Sequence, residues 1–317
     1  HLIGPAEPWS ALGQSYGGFC AMSYLSLVPE GLREAFVTGG LAPIDGHPDQ
    51  VYRATYPRVE DKNAAFFARY PEDRDRVDRI AEHLRTHDVR LPNGDQLTVR
   101  RFQMMGMSLG DSMAFHQLHY TLEDAFVASD AGPELSDIFL RAVDSRVSFG
   151  DGPLYAVLHE PIYCQGEASR WSAERVRAEF PQFSPDAEHI LFTGEMIYPW
   201  IFEEDSSLAP LRDAANLLAE LDDWPQLYDP AQLTENTVPV MAAIYHDDMY
   251  VDYNLSLQTA KTIKGARYWV TNEHEHESRQ RLGARLRRDQ KDDRDRNRQH
   301  DIQRGKHRVA DCPIGPL

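Results

Sequence analysis

Gly13-Gln14-Ser15-Tyr16-Gly17, followed at once by Gly18 and Phe19, is the stretch that most restricts what this sequence can fold into. A serine between glycines at this spacing fits a sharp bend from strand to helix, where crowded backbone leaves no room for side chains two residues to either side. The flanks agree. Residues 8–12 can form a short strand, and residues 19–27 are an apolar run of helical length that stops at Pro29-Glu30-Gly31. Residues 32–40 then read as a strand ending in Gly39-Gly40, so the first forty residues predict one crossover of a parallel α/β sheet.

The pattern changes after that crossover. Helical segments are predicted at 61–70, 73–86, 133–147 and 171–180, with a Met-rich stretch at 102–115 whose Met104, Met105, Met107 and Met113 suit adaptable packing. Sheet character returns with an apolar strand at 238–245, a helix at 254–264 and a strand at 266–271. The division that follows is hydrolase-type core at 1–42, helical cap at 43–205, core again at 206–276, and a tail at 277–317. That tail lacks apolar periodicity and is expected to be disordered.

Charge sharpens the division. The net charge of -17 hides a tail with 12 Lys and Arg against 7 Asp and Glu, which leaves 21 against 43 for residues 1–276. An acidic body disfavours nucleic acid and favours cationic ligands such as a peptide amino terminus. The tail could be read as a nucleic-acid-binding arm, but its interleaved acids and lack of aromatic residues argue against that. Cys20, Cys164 and Cys312 offer neither a disulfide framework nor zinc spacing, which points to a reducing, cytoplasmic compartment. No apolar stretch reaches bilayer length and no signal core follows the first residues, so no membrane association is expected.

A serine hydroxyl becomes a useful nucleophile only when a histidine takes its proton, and the resulting imidazolium needs a carboxylate beside it. Acid and base should lie on loops after late strands. The strand at 238–245 runs into His246-Asp247-Asp248-Met249-Tyr250, and the strand at 266–271 into Asn272-Glu273-His274-Glu275-His276. The residues alone leave Asp247 or Asp248 as acid and His274 or His276 as base.

Residues 12–19, Pro29-Glu30-Gly31-Leu32-Arg33, Asp247-Asp248-Met249-Tyr250-Val251-Asp252 and Trp269-Val270-Thr271-Asn272-Glu273 with its following His together resemble the proline iminopeptidases, over about residues 8–276. The resemblance implies an α/β-hydrolase with a helical cap insertion, and a serine aminopeptidase that releases N-terminal proline from short peptides without cofactor or metal. It implies Ser15 as nucleophile, Asp248 as acid, His276 as base and the Tyr16 N–H as one oxyanion donor. It further implies Glu167 and Glu195 as the pair that holds the substrate ammonium; Tyr198 and Trp200 nearby are candidates either to wall a proline pocket or to pack in the core.

The sequence departs from the family at both ends. The family's His-Gly-Gly-Pro-Gly loop, source of the second oxyanion donor, is not found in the 317 residues, and only fourteen residues precede Ser15. The expectation is a partial parallel sheet without its amino-terminal strands, in an incomplete copy of the family. After His276 a basic run replaces the family's apolar helix, as a reading-frame change would produce. An esterase sharing the triad but lacking the amine-binding pair, or an inactive fragment, are the alternatives.

Overall fold

The computed structural model describes residues 7–276 apart from 112 and 131, so the tail at 277–317 and Cys312 lie outside the described residues. The chain begins with β1 (Trp9–Gln14), α1 (Tyr16–Leu27) and β2 (Leu32–Thr38), followed by the long α2 (Pro48–Arg69) and α3 (Asp73–Thr86). Then come α4 (Val99–Gln103), α5 (Ala114–Glu123), a hairpin of β3 (Phe126–Ser129) and β4 (Gly132–Leu135), and α6 (Asp137–Val147). Short helices follow: α7 (Pro153–Leu158), α8 (Ser172–Arg177), α9 (Ile201–Glu204), α10 (Arg212–Glu220) and α11 (Pro230–Thr234). The chain then returns to the sheet with β5 (Val240–Tyr245), α12 (Tyr253–Thr262) and β6 (Arg267–Thr271).

The main sheet has the order β1-β2-β5-β6, and every pairing in it is parallel. All six residues of β5 are buried, which is why Val-Met-Ala-Ala-Ile-Tyr shows no polar alternation. On one face Phe19, Met22 and Leu25 of α1 and Leu255 of α12 pack with Val37, Val240 and Ile244. On the other face Phe36, Met241 and Tyr245 cluster with Trp269. This is the α/β-hydrolase architecture expected from the sequence, with the cap inserted between the adjacent strands β2 and β5.

The cap has its own core, in which Tyr56, Phe66, Phe102, Phe139 and Phe192 are fully buried. Leu208 and Ala215 belong to the same cluster, so the helical layer runs on past residue 205. Several local details differ from the sequence reading. Helix α2 starts at Pro48, where Pro suits the first turn and the His47 ring accepts from the Asp49 N–H, and it continues through Pro57. The methionine stretch is no single helix, because a tight turn at Met104–Ser108 separates α4 from α5, and Met113 is exposed. Residues 133–135 pair as a strand, and helix α6 begins only at Asp137, with Ser136 Oγ accepting the Phe139 N–H at 3.0 Å.

Arg101 is the largest fully buried side chain of this layer. Its guanidinium reaches Asp95 Oδ2 at 3.2 Å, Asp205 Oδ2 at 3.3 Å and the Glu204 carbonyl at 2.7 Å, which ties α4 to the end of α9. Arg101→Leu should therefore leave two buried carboxylates without a cation and cost about 3–5 kcal/mol, read as a lower urea midpoint.

Candidate active site

Ser15 sits between β1 and α1 with φ 53° and ψ −127°, a backbone state that costs a non-glycine residue on the order of 1–3 kcal/mol. Surrounding hydrogen bonds hold it there: Ser15 N–H donates to Thr38 O at 2.9 Å, and Gly18 N–H to Ser15 O at 2.7 Å. A Cβ at Gly13 would stand 2.1 Å from the Gly17 carbonyl oxygen, and one at Gly18 would stand 2.4 Å from that of Gly40. A Cβ at Gly17 would meet nothing within 4 Å. The expected need for glycine on both sides of the serine is corrected accordingly: it falls on Gly13 and Gly18, because the chain bends back over Gly13 while Gly17 faces open space.

Acid and base reach the serine from the ends of β5 and β6. His276 Nε2 lies 2.8 Å from Ser15 Oγ, and His276 Nδ1 lies 2.7 Å from Asp248 Oδ2. A carboxylate only accepts, so Nδ1 carries the proton and Nε2 is left to accept from the serine hydroxyl. The other oxygen of Asp248 accepts the N–H groups of Tyr250 at 2.8 Å and Val251 at 3.1 Å, which fixes the buried carboxylate in place. Gln14 Nε2 donates to the His276 carbonyl at 3.0 Å and ties the base loop to the strand that bears the serine. The two alternatives lie elsewhere: Asp247 pairs with His246 at the surface, and the His274 ring meets Trp269 edge-on. Tyr16 opens α1, so its N–H has no acceptor one turn back and is available as an oxyanion donor.

Ser15 and Tyr16 open into a cavity of about 300 Å³ lined by Phe19, Leu154, Leu158, Ile162 and Val251, together with Tyr155, His159, Tyr163 and Glu195. Glu195 is its one carboxylate, and neither Lys nor Arg is among the described lining residues. Tyr155 Oη donates to Glu195 Oε1 at 2.6 Å, and His159 Nε2 donates to the Glu195 carbonyl at 3.0 Å. Burial, and then the charge of Glu195, push the phenols of Tyr155, Tyr163 and Tyr250 above their ordinary range, so all three remain neutral donors.

Three expected residues are not in this cavity. Glu167 is exposed on a turn made at Gly166, where φ is +69° and the N–H donates to Trp224 O at 2.8 Å; that turn leaves the carboxylate in solvent. Tyr198 is fully buried in the cap core, its hydroxyl 3.0 Å from that of Tyr56, which in turn donates to Ala173 O at 2.9 Å. Trp200 stacks on Tyr198 with ring centroids 5.2 Å apart and is likewise packing. Tyr155 and His159 were not foreseen. Nothing in the sequence around α7 separates Tyr155 from an ordinary surface aromatic.

No family model matches the chain. It is 53% identical over 275 residues to the proline iminopeptidase of Aeromonas sobria, a match covering 86% of this chain and 64% of that protein. Over this span the chain is similar to a proline iminopeptidase. A second match, 37% identical over 272 residues, is to proline iminopeptidase aneH of Aspergillus aculeatus and covers 85% of this chain and 60% of that protein. The chain thus spans under two thirds of the length of these relatives. Solved structures overlap it weakly: VinJ gives a TM-score of 0.32 at 14% identity over 92% of this chain and 67% of its own. The fold assignment therefore rests on the parallel sheet, the bend at Ser15 and the inserted cap.

The two glycines flanking Ser15 should separate cleanly. Gly13→Ala is expected to cost several kcal/mol by forcing the bend open, whereas Gly17→Ala, within a helix, should be neutral or stabilising by about 0.5–1 kcal/mol. Chemical denaturation of the two variants checks this.

Proposed function

We propose that the chain carries the chemistry of a serine aminopeptidase acting on short peptides with a free N-terminal proline, through a Ser15-His276-Asp248 triad and a prolyl-enzyme ester. The observation that carries the reading is the hydrogen-bonded line from Asp248 through His276 to Ser15, ending in an apolar cavity whose one charge is Glu195. Ser15 Oγ attacks the proline carbonyl while His276 Nε2 takes its proton, and Asp248 holds the imidazolium that results. The oxyanion that develops is met by the Tyr16 N–H. His276 then returns the proton to the departing amine, and water, activated by the same imidazole, releases proline.

Selection of a free amino terminus falls to Glu195. Its Oε1 is oriented by Tyr155, and a partly buried carboxylate beside apolar walls has most to gain from an incoming ammonium. The apolar walls suit a pyrrolidine ring, and a blocked amine would leave the carboxylate facing no cation. An esterase of the same fold would have no use for a lone negative charge beside the nucleophile, which favours the aminopeptidase reading.

Glu195→Gln should lower kcat/KM for prolyl naphthylamide by about 2–4 kcal/mol in transition-state binding, on the order of 30- to 1,000-fold. It should leave hydrolysis of a simple ester, and labelling of Ser15 by a fluorophosphonate, within about threefold of the unmodified chain. Glu167→Gln and Tyr198→Phe should leave both substrates unaffected. Equal losses on the ester and the prolyl substrate in Glu195→Gln would defeat the assignment.

A further inference from the structure

Helix α2 of the cap runs alongside all three segments that build the site. Asn63, fully buried, donates to Phe192 O at 2.9 Å and accepts the Phe192 N–H at 2.8 Å, which fixes the segment leading to Glu195. Arg58 Nε meets Asp252 Oδ2 at 3.3 Å, and the other oxygen of Asp252 caps α12 just beyond the acid loop. One turn further on, Lys62 Nζ meets Glu275 Oε2 at 2.7 Å.

We propose that Lys62 is a positioning residue for the triad: its ion pair with Glu275 holds the base loop from the cap side and neutralises a carboxylate adjacent in sequence to His276. The inference rests on the peptidase reading for its biological meaning, though not for its test. The Lys62 side chain is only 10% exposed and that of Glu275 32%, so the pair is largely shielded from water. A lysine so buried needs a partner, and a hydrophobic residue of similar size would serve stability as well or better. Its placement instead meets an electrostatic need. Among the described residues, the groups that meet the imidazole include Asp248 at 2.7 Å, the Ser15 hydroxyl and the rings of Tyr245 and Tyr250, and Glu275 precedes His276 in the chain. Asp248 must favour the imidazolium, since that is its role. A second unpaired carboxylate would favour it too far and leave less neutral base at working pH. Lys62 removes that second field. It also limits the freedom of the loop, for which a displacement of about 1 Å at the nucleophile would matter, since misplacement on that scale can cost on the order of 100-fold.

The test uses the full chain with Lys62→Met, Lys62→Arg, Glu275→Gln and the double variant Lys62→Met/Glu275→Gln. The imidazole of His276 is titrated by nitrogen-15 NMR, and fluorophosphonate labelling of Ser15 is followed against pH. Lys62→Met should raise the imidazole pKa, because the unpaired Glu275 carboxylate stabilises the protonated ring. The acid limb of the labelling profile should move to higher pH with it, and the limiting rate should fall about tenfold. Adding Glu275→Gln should return the limb to its original position, and Lys62→Arg should keep both limb and rate. Glu275→Gln alone should lower the imidazole pKa, which provides a reading even where Lys62→Met fails to fold. A folded Lys62→Met with unchanged imidazole pKa and labelling rate, even at reduced thermal stability, would overturn the proposal. Failure of the unmodified chain to cleave prolyl peptides, with the NMR shifts as described, would refute the peptidase reading and leave the role of Lys62 standing.

Discussion

The parallel pairing of β2 with β5 makes the site possible. Ala35 to Thr38 lie in register with Val240 to Ala243, so two lengths of chain separated by the entire cap become neighbours in one sheet. Because the strands are parallel, their carboxyl ends share an edge, and the bend after β1 and the loops after β5 and β6 all emerge there. The Gly39 N–H donating to Ala243 O at 3.0 Å continues this pairing beyond the end of β2. The large insertion between the paired strands adds little entropic penalty, since each doubling of a closed loop costs only about 0.6 kcal/mol and the cap folds around a core of its own.

Once that edge is assembled, the strain at Ser15 has a clear origin. The sheet fixes the serine N–H on Thr38 O and the first turn of α1 fixes its carbonyl, so the φ of 53° is imposed from both sides. Met249, next in sequence to Asp248, is buried in the cap cluster, where its methyl group lies within 3.4 Å of the position a Cβ on Gly194 would take. The acid loop, the segment carrying Glu195 and helix α2 therefore meet at a few tightly packed atoms. Cap and core are not independent at this place, since a change in how α2 sits would be felt by acid, base and carboxylate together.

The sequence was most legible where burial is complete. The strands at 238–245 and 266–271 stand out because residues buried on both faces need no polar alternation, and the bend at Ser15 stands out because the approaches at Gly13 and Gly18 admit only glycine. The cap was less legible. Pro57 inside α2 obscures the start of that helix, and the β3–β4 hairpin is mostly exposed, with little apolar pattern to mark it. Among the site residues, Ser15, Asp248, His276 and Glu195 converge, while Glu167 does not. A glutamate in a Gly-Glu segment gives no sign of which way its turn will face, and the turn at Gly166 was set by Trp224, far along the chain. Tyr155 was missed for a related reason, as its partner Glu195 lies forty residues away and only the folded cap brings them together.

The two carboxylates of the site differ in how fully the protein satisfies them. Asp248 is 2% exposed and accepts two backbone N–H groups and an imidazole N–H, so its charge is matched internally and directed at His276. Glu195 is less buried and takes a single side-chain hydrogen bond, from a tyrosine that stays neutral, in a cavity whose described lining has no cation. A carboxylate matched by fixed donors cannot bind a ligand without losing them, whereas one with open lone pairs facing an apolar space gains most when a cation arrives. The same functional group thus serves as an internal counter-ion in one position and as a receptor in the other, and the difference lies in the donors that the fold supplies to each.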